Sequence, residues 1–206
     1  MLEEEKKYRL EGYRLIVGVD EAGRGPLAGP VYAAACLLPP EFLSEEINDS
    51  KKLTEKKREA LFPLIKENAL AYGIASCSAE EIDTYNIYEA TKIAMRRAIS
   101  EIRIPYDLIL TDAMPLKNLQ APVIAIIKGD AKAENIAAAS ILAKVSRDHF
   151  MMELDEKYPE YGFRNHKGYG TKEHLAALSK YGPIEGIHRK TFSPVSDFYK
   201  KQMHLF

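Results

Sequence analysis

The sequence predicts an α/β fold, a mixed sheet with helices packed on it. Three observations predict it. Short apolar runs alternate with longer stretches of helical periodicity. Turns rich in glycine and proline separate those runs. No repeat, low-complexity linker or break in composition divides the 206 residues, a length that fits one domain. Hydrophobic residues are 46% of the chain, ample for a sizeable core.

Each element has its own warrant. Residues 15–19 and 31–38 are apolar runs on either side of a glycine-rich turn and read as paired strands, the second stopped by Pro39-Pro40. Residues 48–54 form a polar loop ending in Thr54, an N-cap for a helix whose apolar stripe is Leu61, Leu64 and Ile65. Residues 72–77 read as a third strand, and a helix follows over about 87–102 with Ile93, Ala94 and Ala98 inward. Residues 106–111 and 123–127 are two more buried strands. The longest helix covers about 134–156, with Ile136, Ile141, Leu142, Val145 and Phe150 inside. A shorter one, 171–180, is capped by Thr171 and closed by Gly182-Pro183.

Charge and cysteine usage narrow the class. Twenty-nine basic against 30 acidic residues leave a net charge of −1, which argues against a nonspecific polycation but allows a local basic groove. Cys36 and Cys77 are far apart and outside any metal-ligand spacing, so they read as buried free thiols of a reducing compartment. The N-terminal residues hold no apolar signal core, and no run approaches the roughly 18 apolar residues of a membrane span. A cytoplasmic monomer without membrane contact is expected.

Three predicted strands end in acids. Leu-Ile-Val-Gly-Val runs into Asp20 and Glu21, Leu-Ile-Leu-Thr into Asp112, and Val-Ile-Ala-Ile-Ile-Lys-Gly into Asp130. If these strands are parallel, their carboxyl ends share one edge, where α/β sheets bind ligands. Four carboxylates on one rim repel each other until protons or cations neutralise them. Oxygen ligands without histidine or cysteine favour Mg²⁺ or Mn²⁺. Two such ions about 4 Å apart would activate a water and stabilise the leaving oxygen of a phosphodiester. For any single acid a solvated loop residue is the ordinary reading; repetition over three strands shifts the balance. Asp20 and Glu21 are neighbours, so both reach one site only if the strand has broken there.

Basic and aromatic residues supply the complement. Gly23-Arg24-Gly25 follows the paired acids, where its backbone N–H groups and Arg24 could meet a sugar hydroxyl or a phosphate. Ser50, Lys51 and Lys52 precede a helix N-terminus, a natural phosphate position. Lys144 and Arg147 lie about one turn apart on the long helix. Lys56-Lys57-Arg58 reads as a solvated face. Tyr169, held between Gly168 and Gly170 ahead of a helix cap, is poorly placed for a core and could stack on a sugar or base. His166 and His188 read as loop residues.

These segments together resemble the ribonuclease HII family. Val-Asp-Glu-Ala-Gly-Arg-Gly-Pro-Leu-Ala-Gly-Pro-Val at 19–31 looks like its signature. The similarity continues through Asp49-Ser50-Lys51-Lys52-Leu53, Lys128-Gly129-Asp130 and the stretch 138–148, then His166-Lys167-Gly168-Tyr169-Gly170-Thr171 and His188-Arg189-Lys190-Thr191-Phe192. The resemblance spans about residues 15–195. It implies a ribonuclease H-like fold, with a core over about 14–160, a C-terminal helical cap over about 161–198 and a flexible tail over 199–206. It also implies metal-dependent cleavage of RNA in RNA–DNA hybrids and 5′ to single embedded ribonucleotides, leaving 3′-hydroxyl and 5′-phosphate ends. By the same resemblance Asp20, Glu21, Asp112 and Asp130 are the catalytic, metal-holding acids. Gly23, Arg24 and Gly25 would read the ribonucleotide 2′-hydroxyl, and Tyr169 would stack at the RNA–DNA junction. Ser50, Lys51, Lys52 and Lys144 would hold the substrate. The type 3 relatives carry a different glycine loop without the arginine and a large N-terminal domain; about 14 residues before the first strand lead us to expect type 2.

Gln202-Met203-His204-Leu205-Phe206 resembles the Gln-x-x-Leu-Phe peptide by which bacterial replication and repair proteins bind the sliding clamp. That assigns Gln202, Leu205 and Phe206 to a partner, against the alternative that Leu205 and Phe206 pack on their own domain. Two rival functions compete with the nuclease: a DNA-cutting enzyme of the same fold, and a hybrid-binding protein without catalysis. The Gly-Arg-Gly and Tyr169 pair speaks against the first, since DNA has no 2′-hydroxyl. The four acids speak against the second, since a pure binder gains nothing from negative charge facing phosphates.

Overall fold

In the computed structural model, which describes residues 3–42, 47 and 53–203, the apolar runs pair into one sheet. Its strands are β1 (Ile16–Ala22), β2 (Val31–Leu37), β3 (Ala71–Cys77), β4 (Leu108–Asp112) and β5 (Val123–Ile126). The order is β3-β2-β1-β4-β5. β2 is antiparallel to both β1 and β3, whereas β4 is parallel to β1 and β5 is parallel to β4. The three acid-ended strands therefore do point the same way. The helices among the described residues are α1 (Glu3–Leu10), α2 (Glu55–Asn68), α3 (Ala79–Ser100), α4 (Glu134–Lys157), α5 (Phe163–His166), α6 (Lys172–Tyr181) and α7 (Val195–Met203).

Alternation along β2 assigns the layers. Val31, Ala33, Ala35 and Leu37 pack with Ala90, Ala94, Met95 and Ala98 of α3. Ala34 and Cys36 face the other way, onto Leu61 and Ile65 of α2 and Ile141, Leu142 and Val145 of α4. Both cysteines are buried free thiols, as their contexts predict. Leu64 is on the exposed side of α2 rather than in its stripe. None of the helices described is long and apolar enough to cross a membrane.

The caps fall where the sequence places them. The Thr54 and Thr171 hydroxyls accept from the backbone N–H groups of Lys57 and His174. α3 starts earlier than residue 87, at a capping box in which Ser78 and Glu81 satisfy each other's backbone N–H groups. Its backbone leaves helical geometry at Asn86 (φ 63°), and the Asn86 carboxamide oxygen accepts from the N–H groups of Tyr88 and Glu89. Periodicity thus picks out only the half beyond the kink. α1, α5 and α7 are additional; α7 continues through residues 199–203, which the sequence reading places in the tail.

A backbone-on-backbone contact joins β1 to α4. Gly18 sits where a methyl group would overlap the Asn135 carbonyl carbon and the Ile136 nitrogen, both backbone atoms that cannot yield. Asn135 fixes the start of α4: its side-chain oxygen accepts from the Leu38 N–H at 2.7 Å, and its own N–H donates to Glu5 at 3.0 Å. Overpacking at such a point forces backbone movement. Gly18→Ala is expected to cost about 3 kcal/mol or more, read as a lower urea midpoint, and to disturb the acids described next.

Candidate functional site

β1 does not break before its acids. It pairs with β2 through Asp20–Ala34, Glu21–Ala33 and Ala22–Tyr32. The expectation that the strand ends at residue 19 is corrected: it runs on through Ala22. On a continuous strand neighbouring side chains diverge. Asp20 stands one step beyond the Val19–Thr111 pair, level with Asp112 at the end of β4. Asp130 reaches the same point from a 3-10 turn, Gly129–Ala131, between β5 and α4. Asp20, Asp112 and Asp130 each place one carboxylate oxygen within 4.8 Å of the others. Glu21 lies outside this trio and forms an ion pair with Arg24 at 3.2 Å.

The trio is built from short-range bonds. Asp20 accepts from the Glu21 N–H at 2.7 Å and from the Ser140 side chain on α4. Asp112 accepts from the Gly129 N–H at 2.8 Å, which ties β4 to the turn carrying Asp130. Burial holds the Asp20 pKa well above the usual carboxylate range, and the charges of Glu21 and Asp112 add to the effect. All the donors are oxygens and the negative charge is concentrated, so the residues present fit a hard divalent cation.

Beside the acids runs a cleft of about 180 Å³ lined by Glu21, Gly23, Arg58, Ser140, Lys144 and Tyr169. Lys144 donates to Asp148 at 2.7 Å; burial lowers its pKa while Asp148 opposes the shift. Tyr169 is 45% exposed, and a methyl group on Gly25 would lie 3.5 Å from its ring. The structure therefore brings Gly23, Lys144 and Tyr169 into one groove next to the acids, with Gly25 beside the Tyr169 ring. Ser50, Lys51 and Lys52, like Leu205, Phe206 and the Gln202 side chain, lie outside the described residues.

Several residues have a different place from the one their charge suggests. Arg147 is buried and donates to the carbonyls of Pro30 (3.0 Å), Lys167 (3.0 Å) and Ala28 (3.2 Å). It is not free to hold phosphate. Gly23, at φ +94°, must lack a side chain because a methyl group would overlap the Arg147 guanidinium. Arg58, read as part of a solvated face, lines the cleft instead. Arg189, given no individual role by the sequence, is fully buried under the same loop.

The histidines are buried too. The Gly168 N–H donates to His166 Nδ1, leaving His166 Nε2–H for the Tyr161 carbonyl at 2.8 Å. The Ile184 N–H donates to His188 Nδ1, so His188 Nε2–H donates to His174 Nε2 at 3.1 Å, and His174 Nδ1–H donates to the Tyr169 carbonyl at 2.9 Å. This chain of bonds fixes the backbone of Tyr169. His166 lies in α5 and His188 in an irregular segment bridged to Ala28, and both are buried.

A sheet ordered 3-2-1-4-5, with acids gathered at the carboxyl ends of its central parallel strands, defines a protein of ribonuclease H-like fold. The crystal structure of the ribonuclease H2 from Pyrococcus horikoshii OT3 superposes with a TM-score of 0.78 at 28% identity, covering 91% of this chain and 98% of that one. The family model described as Ribonuclease HII matches residues 17–195. Ribonuclease HII of Desulfitobacterium hafniense (strain DSM 10664 / DCB-2) is 56% identical over 195 residues, 95% of this chain and 75% of that protein. Ribonuclease HII of Bacillus subtilis (strain 168) is 55% identical over 196 residues, with 94% and 75% covered. The chain belongs to the ribonuclease HII family.

The histidine chain has a pH consequence. Burial pushes the His188 pKa down from 6.5 to about 4, with His174 adding to the shift. Between those values the unfolded chain takes a proton that the folded chain refuses, so stability is lost as pH falls through this window. The loss attributable to His188 reaches on the order of 3 kcal/mol by pH 4. In His188→Gln, urea midpoints measured from pH 7 to pH 4 should fall less steeply than those of the wild type.

Proposed function

We propose that the protein is an endoribonuclease that hydrolyses the RNA strand of RNA–DNA hybrids and cuts 5′ to single ribonucleotides embedded in duplex DNA. The products carry 3′-hydroxyl and 5′-phosphate ends. The observation that carries this reading is the three-acid cluster beside a groove lined by Gly23 and Tyr169, with Gly25 next to the Tyr169 ring, in a chain of the ribonuclease HII family.

Asp20, Glu21, Asp112 and Asp130 would hold two divalent cations, Mg²⁺ or Mn²⁺, which supply activation of water and stabilisation of the departing 3′-oxygen. Every other task falls to the chain itself. Ser140 and the Glu21 N–H orient the Asp20 carboxylate. The Gly-Arg-Gly loop offers backbone donors to the ribose 2′-hydroxyl, the group that distinguishes RNA from DNA. Tyr169 presents an exposed ring beside that loop's Gly25 for stacking on the neighbouring sugar or base. Lys144, with Ser50, Lys51 and Lys52, holds phosphates without reading sequence. The protein works as a cytoplasmic monomer in this reading.

Incubation with a duplex carrying one ribonucleotide and with its all-DNA twin tests the proposal. With Mg²⁺ or Mn²⁺ only the first should be cut, and chelator should abolish cutting. Asp20→Asn should lower the rate by about a hundredfold or more. Cutting of both duplexes, or an undiminished rate in Asp20→Asn, would overturn it.

We also propose that Gln202, Leu205 and Phe206 bind a bacterial sliding clamp. The support is the Gln-x-x-Leu-Phe spacing. A protein truncated after Lys201 should lose binding to purified clamp while keeping its nuclease rate; equal binding by both forms would refute the assignment.

A further inference from the structure

Arg189 lies 165 residues beyond the Gly-Arg-Gly loop in sequence and directly beneath it in space. Its guanidinium is fully buried and forms no ion pair among the described residues. Instead its fork is spent on three backbone carbonyls: Nη2–H donates to Gly23 at 2.6 Å, Nη1–H to Arg24 at 2.9 Å, and Nε–H to Gly29 at 3.0 Å. The Phe192 ring lies 5.0 Å from its central carbon. A planar five-donor fork matches such a set of acceptors, and an ammonium does not.

The peptide plane turns this into a statement about the groove. In a trans peptide the C=O of one residue and the N–H of the next point in opposite directions. A Gly23 carbonyl held inward therefore sends the Arg24 N–H outward. An Arg24 carbonyl held inward does the same for the Gly25 N–H. Arg24 and Gly25 are exposed, and neither N–H has an acceptor among the described residues. Two donors without an acceptor among the described residues thus point away from Arg189, and the Tyr169 ring stands beside Gly25.

We infer that Arg189 is the positioning residue for sugar recognition: by gripping the Gly23 and Arg24 carbonyls it aims the Arg24 and Gly25 N–H groups at the ribose hydroxyl. This rests on the reading that the Gly-Arg-Gly loop contacts that sugar. Arg189 itself touches no substrate. Burial, with the positive charge of Arg147 nearby, lowers its pKa to about 9, so the fork remains charged at neutral pH.

The test separates this inference from the reading beneath it. Steady-state cutting of a one-ribonucleotide duplex is measured for wild type, Arg189→Lys and Gly25→Pro, with the uncut all-DNA twin as competitive inhibitor. Lysine keeps the charge without the fork; proline deletes one outward N–H at an exposed position. Both variants should lose about tenfold or more in kcat/KM while the inhibition constant of the twin moves by less than about twofold. A loss of general structure would move both quantities together. If Gly25→Pro shows the selective loss and Arg189→Lys does not, the inference fails and the reading of the loop stands. If neither shows it, the reading of the loop fails as well. Should Arg189→Lys not fold, amide NMR of the wild type decides. The Arg24 and Gly25 N–H signals should exchange rapidly with solvent and shift with the ribonucleotide duplex but not with its twin. Protected amides, or equal shifts with both duplexes, would overturn the inference.

Discussion

The close approach of α4 to β1 is the constraint on which the rest of the structure depends. Gly18 admits the backbone of Asn135 and Ile136 because it has no side chain. That contact fixes how deeply α4 lies across the sheet. Ser140 can then reach Asp20, and one turn further on Lys144 enters the cleft. Arg147, another turn along, reaches under the loop that follows β1. One helix thereby sets acid-orienting, cleft-lining and loop-supporting positions at successive turns. A small outward shift of α4 would disturb all three.

The acids illustrate how a fold sustains an unfavourable arrangement. Three carboxylates with oxygens inside 4.8 Å repel one another, and burial raises the cost. The backbone leaves little alternative. Asp20 and Asp112 are level on adjacent parallel strands, and Gly129 ties Asp112 to the turn that delivers Asp130. The energy for this comes from the apolar layers on both faces of the sheet, not from the site itself. A cation entering there meets ligands that folding has already gathered.

Much of this is legible in the sequence, and the reasons for the rest are physical. The strands show because each is an apolar run bounded by turn residues, and Asp112 is recovered only because two other strands end alike. Thr54 and Thr171 show because capping is a local matter of one hydroxyl and one N–H. Ser78-Ala79-Glu80-Glu81 carried a capping-box signal for the first half of α3, masked by the interruption at Asn86. Arg147, Arg189 and the histidines are harder. A charged residue is read as exposed unless its partner is known, and these partners are carbonyls of a distant loop or rings of the cap. The separation of Glu21 from the acid trio depends on β1 staying paired with β2 past its apolar run, which is a property of the partner strand.

The joining of loop and cap has a consequence for the order in which the protein forms. Leu27 and Gly29 exchange backbone hydrogen bonds with Gly168, Ile187 and Arg189, and Ala28 bridges to His188. The acids need only the chain up to Ser140, whereas the loop at 23–30 awaits residues more than a hundred positions later. A chain emerging in the N-to-C direction can therefore assemble its charged centre before the loop at 23–30 is set. The 23–30 loop is the last part of the cleft to be set as the molecule folds, and the first to go if residues 168–189 pull away from it.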